Sequence, residues 1–442
     1  MQAQARVKLE PEIALQETDA RPRWHIATRI AFRFVFAYFV LYNIPFPIEY
    51  LPFTTTLIQK YTDLWQAIVP WVGKHILHLS YDITVFQNGS GDTTYNYVQV
   101  LCFFALAALA TVVWSALDRK RPSYERLYQW LKIYVRFSLA SSMISYGTYK
   151  IIPVQMPAPS FTRLIEPYGD SSPMGLLWTF IGASTGFQIF TGCAEMLGGV
   201  LLIFPRTMLL GALVCLVDTT EIFVLNMCYD VPVKLYSFHL LVMSIFLIAP
   251  ELKRLANLFL FNRQVEAAKL VQLFRRRWLN RGLLVLQILF GLYLVGSSFY
   301  QVHQQSKRFG SIAPKPPLYG IWMVDEFSVD GQIRPPLMTD ATRWQRVIFQ
   351  YPGSLTIQPM SGSNQGFLLD LNMENKTLSL GKRDNSDWKA EFSFEEIDPE
   401  LITLSGELDG HKTNARLVRF DENKFLLRNR GFHWIQEYPF NR

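Results

Sequence analysis

The stretch FTGCAEMLGGVLLIF, residues 190–204, decides the architecture, because it is apolar enough for a membrane-spanning helix and yet contains Glu195. A carboxylate within the hydrocarbon of a bilayer is costly and normally faces a partner inside a helical bundle. Gly198 and Gly199 follow Glu195 by one turn, and small residues let a neighbouring helix approach closely. The stretch therefore predicts a helix that packs tightly against others and brings Glu195 to a buried partner.

Apolar runs of similar length recur from residue 25 to residue 305 of this 442-residue chain, half of which is hydrophobic. A run of about 20 residues is long enough to cross a bilayer as a helix. The runs predict about seven spans, at roughly 25–45, 96–117, 128–149, 175–204, 208–228, 233–250 and 281–303. Residues 25–305 are therefore predicted to form a polytopic transmembrane domain in the lipid bilayer, after a cytoplasmic tail over 1–24.

Positive charge is concentrated in one set of loops, which contains RPRW, DRKRPSYER and the segment 251–281. Cytoplasmic loops carry the excess of Lys and Arg, so the formal net charge of +7 indicates membrane orientation and not nucleic-acid binding. The loop 46–95 would then lie outside, and 251–281 would form an amphipathic helix on the cytoplasmic leaflet. This predicts a multi-pass protein of the cell (inner) membrane with an extracytoplasmic C-terminal domain.

Residues 311–442 have a different character, with short β-prone runs separated by turn sequences such as PGS and LDGH. This pattern predicts an all-β domain, either an up-and-down barrel or a sandwich. Gly320 and Trp322 early in this domain, with Arg428 or Arg430 late in it, resemble the lipocalin-like arrangement of a Trp beneath an Arg. The complete fold class is a membrane all-α helical bundle followed by this β domain.

Ionisable residues within the spans are candidate functional groups. Arg136, Glu195 and Asp218 lie at similar depths on three predicted helices, and Glu221 shares a face with Asp218. We expect Glu195 to contact Arg136 or to group with Asp218, with Arg33 as a further cation. Two interpretations stay open: a salt-bridge network that only fixes helix packing, or a proton relay or polar wall of a substrate pocket.

A second group lies near the predicted outer ends of the spans. Lys150 is a candidate catalytic residue there, and the candidate substrate-binding residues are Asp230, Lys234, His239, Tyr146 and Tyr149. Histidines in this region suit proton transfer to a quinone. They form no compact ligand motif, so the sequence predicts no metal site. The aromatic spans would suit a quinone as cofactor or a lipid tail, and aromatic belts at the membrane interfaces explain them equally well.

SYGTYKIIPVQMP (145–157) and FTGCAEMLGGVLLIFPRTMLLGALV (190–214) together resemble the DoxX-like membrane protein family. That family has Gly-x-x-Lys at one helix end and then a helix with Glu-x-x-Gly-Gly-x-Leu-Leu, which here are Gly147, Lys150, Glu195, Gly198 and Gly199. The resemblance covers about residues 125–250. It implies a four-helix core like that of the small subunit of a thiosulfate:quinone oxidoreductase, or of a methylamine-dehydrogenase maturation protein.

The chain departs from that family in its added spans, its long first loop and its β domain. A more distant resemblance is to the horizontally transferred transmembrane domain, which includes vitamin K-dependent carboxylase and would make Lys150 a candidate base. Three hypotheses follow: a quinone-linked membrane oxidoreductase or its membrane subunit; a non-enzymatic assembly or maturation factor that binds an extracytoplasmic protein through 311–442; and a proton-coupled transporter of small solutes.

Overall fold

The computed structural model describes residues 23–86, 88–265, 267, 272–310 and 312–441. Among them, those up to residue 138 and those of 267–280 form one compact unit, and those of 139–265 and from 281 onward form a second. The predicted tail over 1–24 lies outside the described residues except for its last two positions.

Helices make up most of the chain before residue 310. They are α1 (Ile26–Asn43), α2 (Thr55–His75), α3 (Thr94–Leu117), α4 (Glu125–Ile151), α5 (Phe161–Leu164), α6 (Pro173–Gly182), α7 (Thr185–Ile203), α8 (Met208–Cys228), α9 (Lys234–Ile248), α10 (Leu252–Phe259) and α11 (Arg277–Phe309). A short α12 (Leu426–Asn429) follows the β domain.

Six of the described helical segments are long and apolar enough to cross a membrane, which is consistent with a multi-pass membrane protein. They are Ile26–Tyr50, Thr94–Leu117, Thr185–Ile203, Met208–Cys228, Lys234–Phe259 and Arg277–Arg308. The predicted third span forms α4, whose charged residues, including Lys132, Arg136 and Lys150, keep it outside this set. The count of seven spans therefore stays a prediction.

The predicted fourth span, 175–204, is two helices, α6 and α7, instead of one long helix. The Ser184 side chain accepts a hydrogen bond from the backbone N–H of Phe187 and so caps a new helix. Gly182, at the end of α6, packs against the carbonyl oxygen of Pro157 so closely that a side chain there would collide with it. These two local features break the apolar run.

The predicted amphipathic helix over 251–281 is not continuous, because only 252–259 and 277–281 of its described residues are α-helical. Helix α10 ends at Phe259 and continues the preceding span, and residues 260–265 and 272–276 are not helical. Asn262 has a φ of 47°, the left-handed conformation in which helices commonly end. The part at 266 and 268–271 lies outside the described residues.

In the first unit, α1 packs against α3, and Arg33 is fixed where these helices meet the start of α4. Its guanidinium donates hydrogen bonds to the Tyr124 hydroxyl at 2.9 and 2.7 Å, to Ser115 Oγ at 2.7 Å and to the Asp118 carbonyl at 2.8 Å. These four bonds satisfy a 4 % exposed cation. Arg33 is thus a packing residue of this unit, and its expected role as a cation for the carboxylates is wrong.

The C-terminal domain is a closed up-and-down barrel, one of the two all-β folds that the sequence predicts. Within residues 312–441, eight antiparallel strands pair in order and the last returns to the first. They are β1 (Gly320–Val329), β3 (Trp344–Phe349), β4 (Ser354–Pro359), β5 (Gln365–Asn372), β6 (Thr377–Gly381), β7 (Lys389–Asp398), β8 (Leu401–Leu408) and β9 (His411–Arg419). The two-residue β2 (Gln332–Ile333) extends the end of β1. Large apolar side chains such as Trp322, Trp344 and Phe392 fill the interior.

One end of the barrel packs on α5, within the second unit. Phe161 of α5 is buried with Ile321 and Ile348, and its backbone N–H donates to Gln350 Oε1 at 2.8 Å. The arginine beside Trp322 is Arg419, its register partner on β9. The expected contact from Arg428 or Arg430 is therefore wrong: the Arg428 guanidinium lies 5.2 Å from the Phe161 ring centre, and that of Arg430 lies 4.6 Å from the Phe440 ring centre.

Candidate functional site

Glu195 forms a buried ion pair with Lys150. Lys150 Nζ donates to Glu195 Oε1, and the two residues are only 7 % and 3 % exposed. From the sequence, Lys150 is expected near the outer end of its span, and Glu195 is expected to contact Arg136 or to group with Asp218; the cation that pairs with Glu195 is Lys150 instead. The correction has a geometric reason: Lys150 lies in the last turn of α4, and its long side chain reaches a carboxylate on a crossing helix. Removing either member of such a pair leaves a buried charge uncompensated.

Two glycines allow the helices to cross closely enough for this pair to form. Gly147 of α4 and Gly192 of α7 face each other, and a Cβ on either would lie 2.7 Å from the other's carbonyl oxygen. Each glycine comes one turn before its charged residue, which places Lys150 and Glu195 at the crossing. Gly199, one turn beyond Glu195, packs against Ile144 of α4. The expected close helix approach through this glycine is thereby confirmed.

A cavity of about 80 Å³ borders the ion pair inside the second unit. Its polar lining includes Lys150, Glu195, Gln155, Asn226 and Ser237. The rest of the wall is apolar or aromatic: Met143, Tyr146, Met156, Leu177, Trp178, Ile181, Ile222, Leu225, Val231, Val233, Tyr236 and Leu240. An apolar pocket with a few convergent polar groups is the usual form of a small-molecule site.

Two acceptor atoms of the lining residues lack hydrogen-bond partners among the described residues. They are Glu195 Oε2 and Gln155 Oε1. Buried polar atoms are normally satisfied by protein or by ordered water, so two orphaned acceptors at one cavity indicate a ligand or water that donates. The side-chain amide of Asn226, in contrast, has a partner: its Nδ2 donates to Ser237 Oγ at 3.0 Å. The cavity therefore suits a molecule with a hydroxyl or N–H group near Glu195.

Asp218 and Glu221 lie on α8 close to this site. The charge of Asp218 interacts with those of Glu195, Glu221 and Lys150. Asp218 Oδ2 is buried without a hydrogen-bond partner among the residues that the structure describes, whereas Glu221 is exposed. Asp218 thus lies near Glu195 and Lys150. It is four residues before Ile222 of the cavity lining, and Glu221 directly precedes Ile222.

The expected outer residues are divided between the cavity and its surroundings. Tyr146 lines the cavity, with its ring centre 6.0 Å from that of Tyr236. Tyr149 points elsewhere and donates to Gln305 Oε1 of α11 at 2.7 Å. His239 is buried with Nδ1 2.6 Å from the Leu235 carbonyl oxygen. The candidate site therefore keeps Tyr146 and does not bring Tyr149 or His239 to the ion pair.

Asp230, which precedes α9, forms an ion pair with Lys234, the first residue of α9. Lys234 Nζ lies 2.8 Å from Asp230 Oδ1, and the Asp230 side chain is 85 % exposed. Val231 and Val233, between them, line the cavity. The pair thus lies beside the cavity lining and not within it.

Arg136 is a member of the first unit. It is 3 % exposed, and its guanidinium lies 4.9 Å from the Phe137 ring centre. The ion pair of Glu195 is made with Lys150 of the second unit instead.

Sequence reasoning missed several lining residues. Asn226 and Ser237 are polar residues within apolar helices, a signal that polar groups are needed there. Gln155, Met156 and Trp178 gave no such signal, because they lie on a loop and a short helix whose position depends on the tertiary fold.

The described residues define a class of protein: a chain with six candidate membrane-spanning segments, consistent with a multi-pass membrane protein, joined to a closed eight-stranded β-barrel. No family model matches the chain, and no solved structure matches it. It is 32 % identical over 124 residues to the uncharacterized protein YwoB of Bacillus subtilis, an alignment that covers 28 % of this chain and 79 % of that protein. The chain therefore belongs to the family of that Bacillus protein.

Proposed function

We propose that the cavity beside Lys150 and Glu195 binds the headgroup of a membrane quinone, and that the protein is a quinone-linked oxidoreductase or its membrane subunit. The observation that carries the proposal is the unpartnered Glu195 Oε2, on a 3 % exposed carboxylate that lines a largely apolar cavity. A quinol hydroxyl would donate a hydrogen bond to this oxygen. A quinone carbonyl is an acceptor for a remaining N–H of Lys150.

The walls suit an aromatic ring as well as a polar head. Tyr146, Tyr236 and Trp178 contribute rings to the lining, and aromatic rings stack or meet edge to face favourably. The cavity also belongs to a unit with four of the candidate spans, where an isoprenoid tail would have access from lipid.

The size of the cavity sets a condition on binding. A volume of about 80 Å³ is smaller than the roughly 150 Å³ cavity that accepts benzene in a well-studied protein. Met143 and Met156 line the cavity, and unbranched methionine side chains adapt readily to a ligand. Ring binding therefore requires one of these methionines to change rotamer.

The protein residues would manage protons and not electrons. When a bound quinol is oxidised, its two hydroxyl protons leave with the two electrons, and Glu195 is placed to accept the first proton. Protonation removes the negative charge of Glu195 from the ion pair, so this proton must pass on before the pair with Lys150 re-forms, and the second proton leaves to solvent. The electrons pass to a protein partner or a soluble acceptor, and the reverse direction reduces a quinone.

A second candidate, proton-coupled transport of a small solute, is favoured by the grouping of Glu195, Asp218 and Glu221 around one lysine. Carboxylates that lie close together in a low-dielectric region do not all ionise, so one of them can hold a proton. Solute uptake into vesicles that depends on Asp218 and on a proton gradient, without quinone binding, would favour this function over the first.

Quinone binding by the purified protein in lipid nanodiscs tests the first proposal. Decylubiquinone and a short-chain menaquinone are titrated into the native chain and into Glu195→Gln and Lys150→Met. The matched control is Asp230→Asn, which breaks the exposed pair with Lys234. We expect saturable binding to the native chain and to the control, and a loss of more than about tenfold in affinity, or about 1.4 kcal/mol, in the two site variants.

Equal quinone retention by the native chain, both site variants and empty nanodiscs would contradict the proposal. A change in ring redox state on addition of a donor, absent in Glu195→Gln, would extend it from binding to catalysis.

A further inference from the structure

The barrel end that packs on α5 is the end connected to the helices of this unit. Only residues 152–160 separate α5 from α4, and Pro157 of this segment packs against Gly182 of α6. The start of β1 lies at the same end, since the Tyr319 ring centre is 5.0 Å from that of Phe161. Residues 310–319 join it to α11. This barrel end is therefore joined by short segments to α4 and to α11, and α11 contains one of the six candidate spans.

The C-terminal tail, residues 426–441, begins at this same barrel end. Strand β9 finishes there at Arg419, opposite Trp322. Phe420 and Phe425, just before the tail, pack on the cluster that contains Phe161. The Arg428 guanidinium also lies over the Phe161 ring. The tail is thus held beside the helical part of the unit and not at the far end of the barrel.

The tail exposes large apolar and aromatic side chains. The exposed fractions are 91 % for Trp434, 85 % for Tyr438, 80 % for Ile435 and 75 % for Phe432. An aqueous surface of this composition is unusual, because contiguous apolar patches normally mark an interaction site. Arg430, just after α12, adds positive charge, whereas the charge of Arg428 is compensated by an ion pair with Glu422.

We propose that the C-terminal tail lies in the headgroup region of the membrane and binds a phospholipid surface. Trp and Tyr are enriched at membrane–water interfaces, where an amphipathic ring has both an apolar and a wet neighbour. Arg430 beside them is attracted to anionic headgroups. Covalent attachment to nearby spanning helices keeps the tail at a high effective concentration near the bilayer, so modest intrinsic affinity is enough.

This contact holds the barrel at the membrane surface, beside the segment 152–160 that supplies Gln155 and Met156 to the cavity lining. The inference does not depend on the proposed function, because the tail and the cavity share no residues. Binding of a soluble protein to the tail, instead of a phospholipid surface, would give a different result in the test.

The test uses the full chain in vesicles of phosphatidylcholine, with and without phosphatidylglycerol. Cys102, Cys193, Cys215 and Cys228 are replaced by Ala, and a nitrobenzoxadiazole label is attached to a Tyr438→Cys variant. The control is Met338→Cys, which is 71 % exposed and lies between β2 and β3 at the opposite barrel end. We expect doxyl groups near the top of the lipid chains to quench the label at 438 about twofold or more above the control, as for an interfacial segment.

A second measurement, on the unlabelled native chain, does not depend on the cysteine substitutions. Trypsin is added to the native chain in the same vesicles, and cleavage after Arg430 is compared with cleavage after Arg383, an exposed residue at the far barrel end. We expect several-fold slower cleavage after Arg430, and greater protection with phosphatidylglycerol. Equal doxyl quenching at both labelled positions, with equal cleavage rates, would overturn the proposal. So would protection from cleavage without doxyl quenching, which would indicate a protein partner or a second copy.

Discussion

Gly147 of α4 and Gly192 of α7 stand face to face, and a Cβ on either would lie 2.7 Å from the carbonyl oxygen of the other. One turn after each glycine comes a member of the buried pair, Lys150 or Glu195. The absence of two side chains thus sets the distance between two helices, and that distance allows the ion pair to form. Packing and site geometry have the same cause here.

Alanine at either glycine should separate the helices. We expect Gly147→Ala or Gly192→Ala to destabilise the protein by about 1–3 kcal/mol, the usual cost of overpacking, and to weaken ligand binding as well. Gly186→Ala is the matched control on the same helix, because a Cβ there meets nothing within 4 Å. Thermal unfolding in detergent is the measurement, and equal unfolding temperatures for Gly192→Ala and Gly186→Ala would contradict the prediction.

The ion pair should behave differently when one or both members are neutralised. Lys150→Met alone leaves a buried carboxylate without its cation, at a cost of about 3–5 kcal/mol. The double variant Lys150→Met/Glu195→Gln should be closer to the native chain in stability, while ligand binding stays lost. Chemical denaturation of the native chain, the two single variants and the double variant gives the coupling free energy between Lys150 and Glu195. Additive destabilisation in the double variant would show that the two side chains act independently.

The β domain should lose stability in acid through Asp340. Hydrogen bonds from the Thr342 side chain and from the Thr342 and Arg343 backbones lower the pKa of Asp340 to about 2. A free aspartate has a pKa of about 3.9, so this contribution is complete above about pH 4 and is lost as the pH falls towards about 2. Asp340→Asn should flatten that part of the pH dependence, followed by the β-sheet signal in circular dichroism.

The exposed Asp384 provides the control for this titration, as Asp384→Asn. The prediction would be wrong if both substitutions changed the acid unfolding curve to the same extent.

Arg343 should resist even conservative replacement. It is 2 % exposed, and its guanidinium donates to the carbonyl oxygens of Arg334 at 3.0 Å and Trp344 at 2.9 Å, and approaches that of Asp325 at 3.3 Å. A lysine has a single charged nitrogen and does not reproduce this planar set of donors. We expect Arg343→Lys to cost about 1–3 kcal/mol, because buried carbonyls lose their donors. The exposed Arg383→Lys should have no measurable effect on chemical denaturation of the β domain.

Sequence periodicity predicted most helices and strands correctly, but it did not predict which side chains contact each other. The alternation along strands such as β7, with side chains buried at every second position, predicted the β domain. The apolar runs located the candidate spans, and Glu195 within one of them pointed to the site. The partner of Glu195 was not predictable from depth along the helices, because the Lys150 side chain extends across the glycine crossing.

The structure also differs from the sequence predictions where a tertiary contact or the conformation of a single residue determines where an element ends or which side chains meet. The interruption between α6 and α7 depends on Ser184 as a cap and on Pro157, which is distant in sequence. The early end of α10 depends on one left-handed residue, Asn262. Arg419 reaches the neighbourhood of Trp322 only because the barrel closes through β1 and β9.

Photolabelling with an azidoquinone tests most directly whether the cavity beside Lys150 and Glu195 is a quinone site. The native chain in nanodiscs is irradiated with the probe, and labelled peptides are identified by mass spectrometry. Labels should fall on the lining segments around Met156, Trp178 and Tyr236 and should disappear with excess unlabelled quinone or in Glu195→Gln. Labels that are spread over the lipid-facing helices, and that neither excess quinone nor Glu195→Gln removes, would contradict the account.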